Sequence, residues 1–251
     1  MTGAVLAYSG GVDSTLLLSV GKEVLGENFL AVTAASDTYP KEEIETAKQL
    51  ARRFGVRHRI INTFEIRNPR FRHNPPERCY YCKKELFTRL RTIGEKEGLT
   101  FLIDGSNKDD LKDFRPGLRA NKDLGVRSPL QEAGFTKEMI RELSKELGLP
   151  NHDKPSLACL ASRVPYGEKI TKVLLKKLDS LERYLKKKDF KTVRVRHHGP
   201  IARIEVGGDD LKRLIEMRIN IVRRFKREGY KYITVDLEGF RSGSMNLLLR
   251  V

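Results

Sequence analysis

Apolar and polar positions along the first half of the chain repeat in a strand–helix rhythm. Ala4-Val5-Leu6-Ala7-Tyr8 is a short apolar run that predicts a buried strand, and residues 15–20 predict the first turns of a helix. Residues 29–33 predict a second strand. Residues 41–54 place Ile44, Ala47, Leu50, Ala51 and Phe54 at helical spacing, with Gly55 to end the helix. Residues 57–62 predict a third strand through Ile60 and Ile61. The Pro- and Arg-rich stretch 67–78 predicts a surface loop, and Cys79-Tyr80-Tyr81-Cys82 follows it, ahead of a helix over 83–97. Residues 101–103 predict the next strand, and 137–147 a further helix. Strands alternating with helices at this pitch imply an α/β fold, a parallel sheet with helices on both faces.

The rhythm changes after the loop 153–167. Leu174, Leu178, Leu181 and Leu185 define a helix. Strands over 193–197 and 202–206, a helix over 209–227, a strand over 232–237 and a last strand over 245–250 follow. That order predicts a small α+β C-terminal domain, so residues 1–167 and 168–251 are expected as two domains.

No apolar run approaches the roughly 18 residues of a spanning helix, and the first residues lack the basic start of a signal peptide. The expectation is a cytoplasmic protein with no membrane partner. Net charge is +16, and it is uneven: residues 164–251 hold 22 Lys and Arg against 11 Asp and Glu, a net of +11. A basic C-terminal third suits an anionic partner, either a phosphorylated small molecule or RNA; a solvated, heat-adapted surface has the same composition. Three cysteines, an odd number, argue against a disulfide framework.

The stretch with the most chemistry is Ser9-Gly10-Gly11-Val12-Asp13-Ser14, at the junction of the first strand and first helix. Gly10 and Gly11 let the backbone approach a phosphate, and the helix N-terminus faces that anion with free N–H groups. Ser9 and Ser14 add hydroxyls. Asp13 beside phosphates implies either a helix cap or a metal ligand. No Lys follows the glycines, so this is not the G-x-x-x-x-G-K-[ST] loop. A second small-residue turn, Asp104-Gly105-Ser106-Asn107, ends the strand at 101–103 and belongs at the same carboxyl edge of the sheet. Asn107 there suits a ribose or the α-phosphate, or an ordinary Asx turn.

Cys79-x-x-Cys82 with distant Cys159 admits four readings. They are structural zinc with His73 as fourth ligand, a redox pair, inert core thiols, or an iron–sulfur cluster on three Cys with one iron open to sulfide. Three thiols beside a nucleotide loop point to sulfur transfer.

The glycine loop resembles the pyrophosphate loop, S-G-G-x-D-S, of the ATP pyrophosphatases, which cleave ATP between the α and β phosphates. Across essentially its whole length the chain is similar to the LarE family of ATP-dependent sulfur transferases. The resemblance also rests on Asp104–Asn107 with Asp110, Arg115-Pro116-Gly117, Ser128-Pro129-Leu130, the loop Lys154-Pro155-Ser156-x-Ala158-Cys159-Leu160-Ala161-Ser162-Arg163, Pro165-Tyr166-Gly167 and Arg241-Ser242-Gly243-Ser244-Met245-Asn246. It implies the adenine-nucleotide alpha-hydrolase-like fold and a homo-oligomer, a trimer or hexamer. The implied substrate is a phosphorylated pyridinium nucleotide with two carboxylates. One carboxylate is adenylylated with ATP and Mg2+ and then becomes a thiocarboxylate, in nickel-pincer cofactor synthesis.

In some members the Cys matching Cys159 is itself the sulfur donor and ends as dehydroalanine; three-Cys members use a cluster and an external sulfide donor. By this resemblance Cys79, Cys82 and Cys159 hold a [4Fe-4S] cluster. Cys159, Asp13, Ser162 and Arg163 are catalytic, while Ser9, Gly10, Gly11, Asp13, Ser14, Thr33, Gly105 and Asn107 bind ATP. Arg194, Arg196, Arg241 and Arg115 bind substrate, the first two from one face of a strand with bidentate geometry for a phosphate. Glu182 and Glu205 bind a metal at a subunit contact, on resemblance alone. Two other readings remain: a cluster-dependent tRNA thiolase of the same superfamily, or a non-catalytic adenine-nucleotide module. The charge suits tRNA, but no RNA-binding appendage is recognisable.

Overall fold

The computed structural model describes residues 3–112, 115–155, 158–241 and 243–249, so Ser156, Leu157 and Ser242 of the motifs above lie outside the described residues. The chain divides into two compact units. Residues 1–71 with 77–157 form the first, and residues 72–76 with 158–251 the second.

In the first unit four strands form a parallel sheet of order β3-β2-β1-β4: β1 (Ala4–Ala7), β2 (Phe29–Ala35), β3 (Arg57–Asn62) and β4 (Phe101–Asp104). β1 lies between β2 and β4, with Ala4 opposite both Phe29 and Phe101. The helices are α1 (Val12–Leu25), α2 (Lys41–Arg53), the single turn α3 (Pro69–Arg72), α4 (Arg78–Glu97), α5 (Gly117–Asp123), α6 (Pro129–Glu132) and α7 (Lys137–Glu146). Because neighbouring strand residues point to opposite faces, Ala4, Leu6 and Tyr8 pack with Leu16, Ala47 and Ile140, from α1, α2 and α7. Val5 packs on the other face with Phe87, Leu90 and Ala120, from α4 and α5. The near-continuous burial of β1 and β2 is what a sheet covered on both faces requires. After β3 the chain crosses to the far side of β1. The crevice between the turns after β1 and β4 is therefore a topological switch point, where open α/β sheets bind ligands.

In the second unit α8 (Lys172–Lys186), α9 (Leu211–Glu216) and α10 (Arg218–Arg227) accompany β5 (Val193–His198), β6 (Ile201–Val206) and β7 (Tyr232–Val235). β5 pairs antiparallel with β6, and β7 parallel with it. Leu175, Leu178, Leu181, Leu185, Val193, Val195, Ile204, Ile221 and Phe225 are buried. The small α+β architecture is as the sequence predicts.

Four elements differ from the pattern-based expectation. Cys79 and Cys82 lie in the first turn of α4 rather than ahead of it, because nothing after Pro75-Pro76 breaks a helix. The predicted helix over 209–227 is two helices, separated at Met217, whose ψ of 6° leaves the α range. β7 stops at Val235, since the Asp236 side chain accepts from the Glu238 N–H and its carbonyl from Gly239, closing a turn. The predicted last strand is a 3-10 helix, Ser244–Leu249, tied down by the Ser244 hydroxyl rather than by a strand ladder. Among the described residues no helix is long and apolar enough to cross a membrane.

Gly21, in the middle of α1, is a packing requirement. A Cβ there would lie 2.4 Å from the ring of Phe29, which is fully buried on β2. Helix propensity alone would favour Gly21→Ala by about 1 kcal/mol, whereas overpacking costs about 1–3 kcal/mol. We expect Gly21→Ala to lower stability in urea denaturation; a gain would show that α1 is free to shift off the sheet.

Candidate active site

The glycine loop after β1 is built by excluding side chains. Gly10 has φ +71°, and a Cβ on it would sit 3.1 Å from Ala47 on α2. Across the crevice, a Cβ on Gly105 would be 3.0 Å from the backbone nitrogen of Ser14. The Gly10 carbonyl accepts from Asn151 Nδ2 and Lys154 Nζ, each at 3.2 Å. Lys154 is itself paired with Glu43 at 2.7 Å, and Asn151 also donates to Thr15 at 2.9 Å. These contacts anchor the loop by its carbonyl. Gly11 is the N-cap of α1 with no side-chain cap, so the first N–H groups of α1 keep the character of an anion site. The hydroxyls of Ser9 and Ser14 are 3.1 Å apart inside the turn. Thr33, near the end of β2, donates to the Tyr8 carbonyl at 2.9 Å and lies 2.8 Å from His58 Nε2. Tyr8 is buried against this pair, and burial pushes its hydroxyl up to about 12.

Asp13 does not cap the helix. Its Oδ1 is 2.6 Å from Lys137 Nζ, and its Oδ2 is 3.5 Å from Asn107 Nδ2. Asn107 donates its backbone N–H to Asp110, which pairs with Arg115 at 2.8 Å. Burial pushes the Asp110 carboxyl up against the pull of Arg115, and the Asp13 charge adds to the push. Two carboxylates therefore share the mouth of the crevice. They are hard oxygen donors of the kind Mg2+ uses together with phosphate oxygens, so these residues fit the ion. Lys137 had no sequence signal; it comes from α7, and only the fold brings it to Asp13.

Beneath Gly105 lies a network the sequence did not reveal. Asp104, at the end of β4, accepts from Lys83 Nζ at 2.9 Å, Asn121 Nδ2 at 2.8 Å, Ser106 Oγ at 2.8 Å and Ser128 Oγ at 2.7 Å. Ser128 reaches it because Arg127 bridges onto Ile103 beside β4. Burial would push the Asp104 carboxyl up, but Lys83 and these donors hold it below the usual carboxylate range. Lys83 directly follows Cys82, so the turn after β4 and the N-terminal part of α4 share one half-buried ion pair. The only sequence hint of Lys83 was its place beside that thiol. Cys79 is exposed, Cys82 and Cys159 are half-buried, and none of the three is in a disulfide. Cys79 and Cys82 are three residues apart on one helix, which sets their side chains on one face. Among the described residues no group of three or more His, Cys, Asp or Glu side chains is gathered as a metal site.

In the second unit the Cys159 loop wraps around a buried guanidinium. Arg163 is 1% exposed. Its Nη1 donates to the carbonyls of Ala158 and Cys159, at 2.7 and 3.0 Å, and to Ser162 Oγ at 2.9 Å. Its Nε and Nη2 grip both oxygens of Glu182 on α8, each at 2.9 Å. The loop is thus folded over Arg163. Burial pushes the Glu182 carboxyl up, but Arg163 and then Arg194 hold it below the usual range, and it also accepts from the Val195 N–H.

On the neighbouring sheet face Arg196 pairs with Glu205 at 2.7 Å and donates to Ser162 O. Arg203 and Ser244 also reach Glu205. Arg194 lies over the Phe240 ring at 4.8 Å, and burial together with Arg163 lowers it to about 10. Three buried guanidiniums, of Arg163, Arg194 and Arg196, therefore face two buried carboxylates, Glu182 and Glu205. Arg241 pairs with Glu238. Both glutamates are engaged by arginines.

Residues 1–95 match the NAD synthase family. Over nearly the whole chain the sequence is 43% identical to an uncharacterized protein of Synechocystis sp., covering 98% of this chain and 92% of that protein. It is 39% identical to the pyridinium-3,5-bisthiocarboxylic acid mononucleotide synthase of Lactiplantibacillus plantarum, covering 96% of this chain and 88% of that protein. A lower similarity, 27% over 60% of this chain and 40% of that protein, joins it to the argininosuccinate synthase of Pyrococcus furiosus.

Removing one partner of a buried ion pair leaves the other uncompensated, at about 3–5 kcal/mol. Glu182→Ala is expected to lose stability of that size, and Glu182→Gln less. Because the folded-state carboxyl of Glu182 titrates below its unfolded value of about 4.3, its contribution is complete above that pH and declines as pH falls through the folded value. Urea midpoints for wild type and Glu182→Gln should therefore converge in acid; a gap independent of pH would show that the pair contributes no charge term.

Proposed function

The chain belongs to the LarE family, that of the pyridinium-3,5-bisthiocarboxylic acid mononucleotide synthases, and from that membership we propose how its residues divide the reaction. The protein is an ATP-dependent sulfurtransferase of pyridinium mononucleotide thiocarboxylate synthesis. Identity of 39% over 96% of the chain carries this reading, and the two turns that admit no Cβ at Gly10 and Gly105 support its use of ATP.

In the proposed mechanism a substrate carboxylate attacks the α-phosphorus of ATP, pyrophosphate leaves, and an acyl adenylate forms. Sulfide attack on its carbonyl then gives the thiocarboxylate and expels AMP with one former carboxylate oxygen. Ser9, Gly10, Gly11 and Ser14 with the α1 N–H groups hold the departing pyrophosphate. Thr33, Gly105 and Asn107 meet the remainder of the nucleotide. Asp13 with Asp110 would hold Mg2+, which supplies charge neutralisation on the phosphates. Arg194 and Arg196, with Arg241 and Arg115, bind the substrate anions. The excess of guanidiniums over carboxylates around Arg194 and Arg196 supports this, because a cluster of net positive charge attracts an anion. Arg163 and Ser162 hold the Cys159 backbone in place.

Cys79, Cys82 and Cys159 are assigned to a [4Fe-4S] cluster, since three thiols outside disulfides suit such a group and the α4 N-terminus favours thiolate. When bound, that cluster supplies the sulfide. Residues 1–167 are taken as the ATP domain, and 168–251 as the substrate-binding and oligomerisation domain of a homo-oligomer.

Two outcomes test this division. Arg194→Ala or Arg196→Ala should weaken binding of the dicarboxylate nucleotide about tenfold or more, as for a lost charge-assisted hydrogen bond, and leave ATP binding unchanged in calorimetry. Equal losses for both ligands would contradict the assignment. After anaerobic reaction of reconstituted protein, intact mass should be unchanged and products should exceed one per chain when sulfide is supplied. Dehydroalanine at Cys159 with at most one product per chain would replace the cluster with a sacrificial cysteine.

A further inference from the structure

The pyrophosphate loop carries a carboxylate, Asp13, at a site built for anions, and the structure gives it a cation that no motif announces. Lys137 Nζ lies 2.6 Å from Asp13 Oδ1, and the two side chains are 27% and 22% exposed, so a ligand in the crevice can reach both. The backbone under Lys137 is fixed. Its N–H donates to Asp109 Oδ2 at 2.9 Å, and Thr136 caps α7 by accepting from Met139 N. Only the side chain has freedom, and a lysine is a compact charge on a flexible stem with rotatable donors. Among the described residues the charged groups near Asp13 include Asp110, with Arg115 and Lys83 acting on it, and Asp109, which holds the Lys137 N–H. Asn107 Nδ2 faces the second oxygen of Asp13.

We propose that Lys137 is an exchangeable counter-ion: without nucleotide it neutralises Asp13, and with nucleotide it moves to the phosphates and releases Asp13, beside Asp110, to the divalent cation. The exchange answers an electrostatic conflict. A bare Asp13 carboxylate would repel an incoming triphosphate, yet Mg2+ binds through one or two carboxylates together with phosphate oxygens. Lys137 removes the repulsion while the crevice is empty and yields the carboxylate only when phosphates attract it. Nucleotide and cation therefore bind cooperatively, and free cation binds poorly.

This inference rests on the ATP reading of the glycine loop, and the test separates the two. Mn2+ binding is followed by electron paramagnetic resonance, with and without α,β-methylene-ATP, and binding of the analogue is measured by calorimetry. Wild type should bind the analogue, and should bind Mn2+ tightly only in its presence. Lys137→Ala should bind the analogue about tenfold or more weakly and bind Mn2+ without nucleotide more tightly than wild type. Lys137→Arg should restore affinity for the analogue, and Asp13→Asn should abolish tight Mn2+ binding in every case. Circular dichroism and the thermal midpoint of each variant confirm that the fold is retained. A Lys137→Ala protein matching wild type in both affinities overturns the exchange while leaving the ATP site intact. A wild type that binds no analogue overturns the ATP reading and the exchange together.

Discussion

The first unit depends on a close approach of two backbones. The turn after β4 meets the start of α1 at the switch point of the sheet, where Gly105 abuts Ser14 N with no room for a side chain, and on its other side the glycine loop abuts α2 through Gly10 and Ala47. That absence leaves the N-terminus of α1 accessible. Everything around it serves to hold the two turns at this separation. Asn151 and Lys154 hold the carbonyl of Gly10, and the Asp104 network sets the base of the second turn. A Cβ at Gly105 would push its turn off the start of α1, and one at Gly10 would push the loop off α2; either would shift the N–H groups on which electrostatic stabilisation relies.

The second unit solves a different problem, the burial of charge. Arg163 is enclosed because Glu182 satisfies one edge of its fork while the Ala158 and Cys159 carbonyls satisfy the other. A cysteine loop held through its backbone carbonyls in this way fixes the position of the Cys159 backbone. The pairs on the adjoining sheet face follow the strand register, with Arg194 opposite Glu205 and Arg196 opposite Arg203. Alternation along β5 and β6 thus separates a face of arginines from a face of Val193, Val195, Ile204 and Val206 that packs in the core.

Much of this was legible in the sequence. The order of β1 to β4 with their helices follows from apolar periodicity, and the glycine loop announces itself by residue type. The placement of Arg194 and Arg196 on one strand face also follows from a period of two. What was hidden depends on contacts distant in sequence. Lys137 meets Asp13 from 124 residues away, and Lys83 meets Asp104 and Asn121 from the face of α4 that also carries Leu86, Phe87 and Leu90, where the apolar pattern marks only hydrophobic partners. The burial of Arg163 was not legible, since arginine is usually exposed and this burial depends on Glu182, one helix further on. The segment 245–250 read as a strand from its apolar run, but that run does not distinguish a ladder from a short helix pinned by Ser244.

The central claim is that ATP activates a substrate carboxylate as an acyl adenylate before sulfur enters. It is tested most directly by isotope transfer. The pyridinium dicarboxylate mononucleotide is labelled with oxygen-18 in its carboxylates and turned over anaerobically with ATP, Mg2+ and sulfide. The AMP and pyrophosphate are then analysed by mass spectrometry. One labelled oxygen in each AMP formed, with none in pyrophosphate, is the predicted result. Unlabelled AMP, or label carried into inorganic phosphate with ADP as the nucleotide product, would contradict the account.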